Sequence, residues 1–389
     1  MITICDKTKC CGCSACFNVC PKKCISMKVD KEGFLYPVTN ILECVDCGLC
    51  EKVCPVIHTN KHPRNAIVLD TFGGNTRDEQ LRQSSSSGGI FGVLARSILA
   101  ENGVVVGAEF SGDFYSVRHT SIETKDDLYR LQGSKYLQSE IDDTYKKVKE
   151  FLKQGRRVLF TGTPCQVAGL KTCLDKEYDR LFTQDIICHG VSSPMVWKKY
   201  VQYQEDVSGG TVQRMSFRHK KYGWKTYSVF FEFSNNTKYG KKFSADPYMQ
   251  VFLCNINLRP SCYDCAFRNG TSGSDITLAD YWGVQDENPE LDDDKGTSLI
   301  IVHTQKGLEM FQKIQSELNC KLIDFENVIK HNPSYDESVQ RPKKREKFFK
   351  EVQTGNIEKI MKKYAPSSIS LIQRVIRKMK RIIENLLHK

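Results

Sequence analysis

No two of the 26 glycines in this 389-residue chain are separated by a single residue, so the G-x-G-x-x-G turn is missing. Without that turn, Rossmann-type binding of NAD or FAD is not expected, because its glycines let a pyrophosphate approach a helix N-terminus. Long apolar runs are missing too. The longest, such as Val104-Val105-Val106 and Leu299-Ile300-Ile301-Val302, fall far short of a bilayer span and read as buried strands. The chain opens MITICDKTKC, with no charged-then-apolar leader. These absences set the expectation of a cytoplasmic protein whose thiols stay reduced. No recognisable nucleic-acid module accompanies the formal charge of +11, so a nucleic-acid partner is not expected.

Cysteine is what the chain has in excess, with eighteen. Eight of them repeat one frame: Cys10, Cys13, Cys16, Cys20-Pro21 and Cys44, Cys47, Cys50, Cys54-Pro55. The spacing is that of bacterial two-cluster ferredoxins, so two [4Fe-4S] clusters are the expected cargo. Three thiolates two residues apart hold three corners of one cubane, and the fourth, before proline, serves the other cluster. That rule groups Cys10, Cys13 and Cys16 with Cys54, and Cys44, Cys47 and Cys50 with Cys20. Structural zinc, the alternative, favours paired Cys-x-x-Cys knuckles across a longer gap. Cys5, Cys11 and Cys24 stand outside the frame and receive no ligand role.

Three segments follow from the punctuation: a ferredoxin-type domain over 1–60, a larger α/β domain over 61–345, and a basic amphipathic helical tail over 346–389. A polar stretch with Pro63, residues 56–66, suits a linker. Beyond it, helix-like and strand-like patterns alternate. A helix runs from Phe91 to Leu99 and closes at Asn102-Gly103 before the strand VVVGAEF. The strand RVLFTG leads to a helix capped by Thr163 with Pro164 in its first turn. The strand DIIC leads through His189-Gly190 to a helix opened by Ser193-Pro194. Residues 211–245 alternate as an antiparallel hairpin set. The fold class is therefore α/β, a mixed sheet with flanking helices, preceded by a small α+β two-cluster ferredoxin domain.

A second cysteine set lies where the chain presents side chains. Cys165 opens a helix, where the dipole favours a thiolate, Cys188 ends a strand, and Cys262 and Cys265 form Cys-x-x-Cys. Spacing leaves a third cluster and a redox dithiol with buried thiols both open. Cys173, within a helix, and Cys320 read as structural.

Six stretches in order behind the double frame, SSSSGGIFGVLA, GSKYLQS, FTGTPCQVAGL, ICHGVSSP, LRPSCYDCAF and SDITLADYWG, carry a further signal. Over about residues 1 to 285 the chain resembles the coenzyme F420 hydrogenase/dehydrogenase beta-subunit family. The resemblance implies an iron-sulfur flavoprotein oxidoreductase, with a third [4Fe-4S] cluster at Cys165, Cys188, Cys262 and Cys265 and with FAD. It does not settle whether F420, NAD(P)H or ferredoxin is the redox partner. It also tilts Ser86, Ser87, Gly88 and Gly89 toward phosphate binding, where a helix cap is the plain alternative. Lys135 is a candidate to neutralise a phosphate, and Thr163 to touch the isoalloxazine edge.

His189 is a candidate proton relay and Asp280 a candidate substrate-orienting carboxylate, with hydrogen-bonding structural roles as the alternatives. Trp224 and Trp282 are expected to pack in the core or to wall the site. The expected partners are an electron donor or acceptor protein and an organic redox substrate. The rival reading is an electron-transfer subunit without its own substrate. In the tail, Ile369 to Leu387 recur on one helical face beside Arg374, Arg377, Lys378, Lys380 and Arg381. That face suits packing or a partner, with peripheral contact at the inner membrane face as the alternative.

Overall fold

The computed structural model describes residues 1–58, 66–174 and 176–365. The amphipathic helix expected over 369–387 lies outside the described residues, as does most of the expected linker.

Thirteen strands are described, in three sheets. They are β1 (Ile25–Val29), β2 (Leu35–Thr39), β3 (Asp70–Thr76), β4 (Val104–Phe110), β5 (Val117–Ile122), β6 (Val158–Thr161), β7 (Leu181–Ile186), β8 (Val212–His219), β9 (Ser228–Phe233), β10 (Lys238–Lys242), β11 (Ile276–Asp280), β12 (Ser298–Val302) and β13 (Leu318–Leu322). The eight-stranded sheet has the order β13-β3-β12-β11-β7-β6-β4-β5. Strands β11, β7, β6 and β4 run parallel, while β12, β13 and β5 each oppose a neighbour. Every residue of β12 (SLIIV) is buried, as an unbroken apolar run in a sheet covered on both faces should be.

The expected mixed sheet is present, but not through the 211–245 segment. That segment forms β8, β9 and β10, an antiparallel sheet of its own. The strand expected at DIIC also differs: β7 starts at Leu181, whose register with Val158 sets its beginning, and ends at Ile186. Cys188 therefore stands beyond the strand, on the carboxyl edge of the sheet.

The helices follow their caps. In Ile90–Ala100 the residues Ile90, Val93, Leu94 and Ile98 turn one face inward, and Asn102 in the left-handed region (φ 56°) redirects the chain into β4. Pro164–Cys173 begins with Pro164, and Gln166 reaches back so that its Oε1 accepts from the Thr163 N–H at 3.0 Å. Ser193 caps Pro194–Ser208 by accepting from the Val196 N–H.

The tail expected from residue 346 begins as core. Helices Arg345–Thr354 and Ile357–Tyr364 bury Phe348, Phe349, Val352, Ile360 and Met361 against the aromatic cluster around Trp197, Phe231 and Tyr248. Their lysines lie on the outer face, which is why composition alone reads as a basic tail. Arg345 is buried and holds Glu32 of the ferredoxin segment through two bonds of 2.9 and 2.6 Å, with further bonds to the Leu258 carbonyl. Breaking a buried pair from one side strands the other charge. Arg345→Ala is expected to lower the unfolding free energy by about 3 kcal/mol, read by denaturant titration; an unchanged midpoint excludes this clamp.

Candidate metal centres

The double frame folds as two short loops, each with a glycine or serine in the left-handed region that turns the thiols inward: Gly12 (φ 71°), Ser14 (φ 62°) and Gly48 (φ 71°). Cys20, Cys44, Cys47 and Cys50 line one cavity, whose whole lining comes from residues 1–50. Cys24 lines it too, its sulfur 3.4 Å from that of Cys20. The Ile2 N–H donates to Cys50 Sγ at 3.3 Å, the type of contact that steadies a thiolate. In the other group, burial pushes the Cys16 thiol up, and charge on the nearby Cys10 and Cys54 pushes it further.

A third cavity opens at the carboxyl ends of the parallel strands, where α/β sheets place ligands. Counting its open mouth it holds about 750 Å³, and Cys165, Cys188, Cys262 and Cys265 all line it. Cys165 arrives on the first turn after β6, Cys188 two residues beyond β7, and Cys262 on the short 3-10 turn Pro260–Asp264. Burial pushes the thiols of Cys188, Cys262 and Cys265 up, Cys262 to about 12, and the neighbouring Cys11 thiol, with burial, raises Cys165. Bare thiolates are disfavoured here. The set suits a cationic iron-sulfur core, which would displace the protons and compensate the buried charge. Among the described residues no three His, Cys, Asp or Glu side chains converge tightly enough for a single ion; the thiols ring cavities instead.

Cys11, left without a role by the sequence, joins the two halves. It lines the third cavity together with Cys165, and the two thiols are near enough to shift each other's ionisation, while Cys10 and Cys13 on either side of it belong to the first frame. Closeness requires glycine on both sides. A Cβ on Gly169 would lie 2.8 Å from that of Cys13, and one on Gly12 would lie 2.6 Å from Gln138 Nε2. Arg259 seals the seam: its Nε donates to the Cys10 carbonyl at 2.8 Å, Nη1 to Gln138 Oε1 at 2.7 Å, and Nη2 reaches Cys10 Sγ at 3.6 Å. The only advance signal for it was its place just before Pro260.

Family comparisons match this architecture. Residues 9–57 match the 4Fe-4S dicluster domain, and residues 155–328 match the C terminus of the coenzyme F420 hydrogenase/dehydrogenase beta subunit. The chain joins a 4Fe-4S dicluster domain to a C-terminal domain of the coenzyme F420 hydrogenase/dehydrogenase beta subunit. Its dicluster domain implies two [4Fe-4S] clusters. An uncharacterized ferredoxin of Methanocaldococcus jannaschii is 32% identical over 74 residues, 19% of this chain and 84% of the relative. A chain of the F420-reducing [NiFe] hydrogenase complex from Methanosarcina barkeri overlays with a TM-score of 0.47 at 15% identity, covering 77% of this chain and 92% of that one.

The residues expected at a flavin are partly drawn together. Ser86 Oγ accepts from the Ser134 N–H at 2.6 Å and bonds its hydroxyl at 2.8 Å, so SSSSGG meets GSKYLQS. Other donors there are already engaged. Ser87 donates to the Thr297 carbonyl, the Gly88 N–H to Ser298, and Gly89 caps the following helix. The Lys135 ammonium lies over four carbonyls, Arg130 to Gly133, at the end of a short helix; burial lowers its pKa to about 7. Lys135 thus closes a helix end in this arrangement. Thr163 lines the third cavity with its Oγ1 3.2 Å from Cys165 Sγ.

His189 packs its ring against Phe252, 5.1 Å between centroids, and burial lowers its pKa. Asp280 ends β11 paired to Arg218 at 2.9 Å and accepting from Trp224 Nε1 at 3.1 Å. Trp224 and Trp282 stack with planes 7° apart. Arg218, which the sequence reading missed, is buried between the Tyr227 ring at 4.0 Å and Trp282 at 5.4 Å, and its Nε and Nη2 have no partner among the described residues. Beside it the buried Lys220 donates to the carbonyls of Arg82 and Ser87.

His119 was missed as well. Its Nδ1 meets Ser139 Oγ at 3.0 Å, and that hydroxyl meets Gln166 of the Cys165 helix cap at 2.9 Å. Burial drops its pKa from 6.5 to about 4, so the folded chain holds it neutral where the unfolded chain protonates it. Stability is therefore present above about pH 6.5 and lost as pH falls toward 4. Between pH 7 and 5 the native chain is expected to lose about 2 kcal/mol more than the His119→Gln variant in denaturant titrations; parallel losses exclude the assignment.

Proposed function

We propose that this chain is an iron-sulfur flavoprotein oxidoreductase that holds three [4Fe-4S] clusters in series. The first two are held by Cys10, Cys13, Cys16 and Cys54 and by Cys20, Cys44, Cys47 and Cys50, the third by Cys165, Cys188, Cys262 and Cys265. The place of Cys11 in the wall of the cavity lined by Cys165, Cys188, Cys262 and Cys265 carries this reading, because it brings the first frame against the third thiol set. When bound, such clusters exchange single electrons and a flavin exchanges hydride, so together they link one-electron and two-electron chemistry. The chain contributes the cages, their N–H and guanidinium donors, and a buried seam between the first and third. No described helix is long and apolar enough to cross a membrane.

For the flavin, the support is the buried Arg218 with two unpartnered donors beside Lys220 and the Ser86–Ser134 contact, an arrangement suited to an anionic group such as a phosphate. The electron-transfer subunit without flavin is the competing reading. Anaerobic purification with iron, flavin and visible-spectrum analysis separates them. About twelve irons per chain with bound flavin are expected. Cys165→Ser is expected to lower iron by about four while the ferredoxin signals persist. Arg218→Ala is expected to strip flavin and spare iron. Full iron in the first variant removes Cys165 from the ligand set, and an absence of flavin from the native chain leaves the electron-transfer subunit.

A further inference from the structure

We infer that the surface around Cys44 and Cys47 docks an acidic one-electron carrier protein; the inference rests on the iron-sulfur reading above. The first frame is covered by the main domain, with Cys13 and Cys16 each 8% exposed and Cys13 against Gly169. The second cavity is lined only by residues 1–50, and Cys47 on its rim is exposed. Electrons exchanged with another protein therefore cross at this end.

The turn before Cys44, closed by its N–H to the Ile41 carbonyl at 3.3 Å, pushes an apolar ridge outward. Ile41, Leu42 and Val45 are 71%, 96% and 58% exposed. Single exposed apolar residues are ordinary, but three within five positions on a cavity rim mark a contact surface. A small ridge of this kind suits a transient redox encounter better than a permanent interface.

Charge decides the occupant. Lys22, Lys23 and Lys52 are exposed and form no ion pair among the described residues. Of the nearby acids, Asp46 and Glu51 share the single Met1 ammonium, each at 3.0 Å, and Glu43 is exposed, so two negative charges stay uncompensated against the three lysines. The rim is therefore positive by one charge, and that excess favours an acidic partner. In the exchange one electron leaves the carrier, which is oxidised by one, and enters the chain, which is reduced by one; no bond or proton moves.

The test uses the full, anaerobically purified chain and a reduced acidic [2Fe-2S] ferredoxin as probe, with affinity from calorimetry and electron-transfer rate from stopped flow. Lys23→Glu with Lys52→Glu, and separately Leu42→Asp, are expected to weaken binding and slow the second-order rate roughly tenfold, and added salt to do the same to the native chain. Iron content and the rate of reduction by dithionite are expected to stay level. Unchanged affinity in both iron-loaded variants, or native affinity indifferent to salt, overturns the docking surface alone. So does loss of binding to phosphatidylserine vesicles with carrier affinity intact, which would make the patch a membrane contact. A native chain without iron overturns the iron-sulfur reading and this inference together.

Discussion

The close approach of the first cysteine loop to helix Pro164–Cys173 is the constraint on which the rest of the molecule depends. Gly169 removes the side chain that would hold the two apart, Gly12 leaves room for Gln138 and Arg259, and Arg259 fills the seam with donors aimed at the Cys10 backbone and sulfur. A guanidinium suits this place because it stays charged when buried and offers donors in several directions at once. Had the ferredoxin segment been a loosely tethered module, its thiol cages and the third cavity would form two separate devices. Packed this way they form one.

Burial then sets the chemistry of the third cavity. Thiols lifted well above their ordinary range are poor bare nucleophiles, so the cavity does not read as a catalytic dithiol. The same burial favours a core that carries its own positive charge, since iron compensates thiolates that water cannot reach. Position reinforces this. Parallel strands β6 and β7 deliver Cys165 and Cys188 to the edge where such sheets bind ligands, and the buried Arg218 stands near the end of β11 on that edge.

Glu32 and Arg345 show how far apart in sequence the supports of this arrangement lie. The pair fastens the ferredoxin segment to a helix more than three hundred residues later, and that helix shares the aromatic core around Trp197. The lysines around Phe348 and Phe349 concealed this from compositional reading, because a helix displays its charges and its core face in one stretch of sequence. Hydrophobic periodicity over Phe348, Phe349 and Val352 was the available signal.

The sequence by itself determined the double cysteine frame, the helix caps at Thr163-Pro164 and Ser193-Pro194, and the buried strands at Val104 and Leu299, because each depends on neighbours within a few residues. Only the tertiary structure decided that Cys11 lines one cavity with Cys165, that Lys135 spends its ammonium on backbone carbonyls, and that Arg218 keeps two donors buried without partners. Those outcomes turn on which distant segments share a cavity. Local spacing carries no record of that, since long-range packing and the exclusion of water arise only when the whole chain closes on itself.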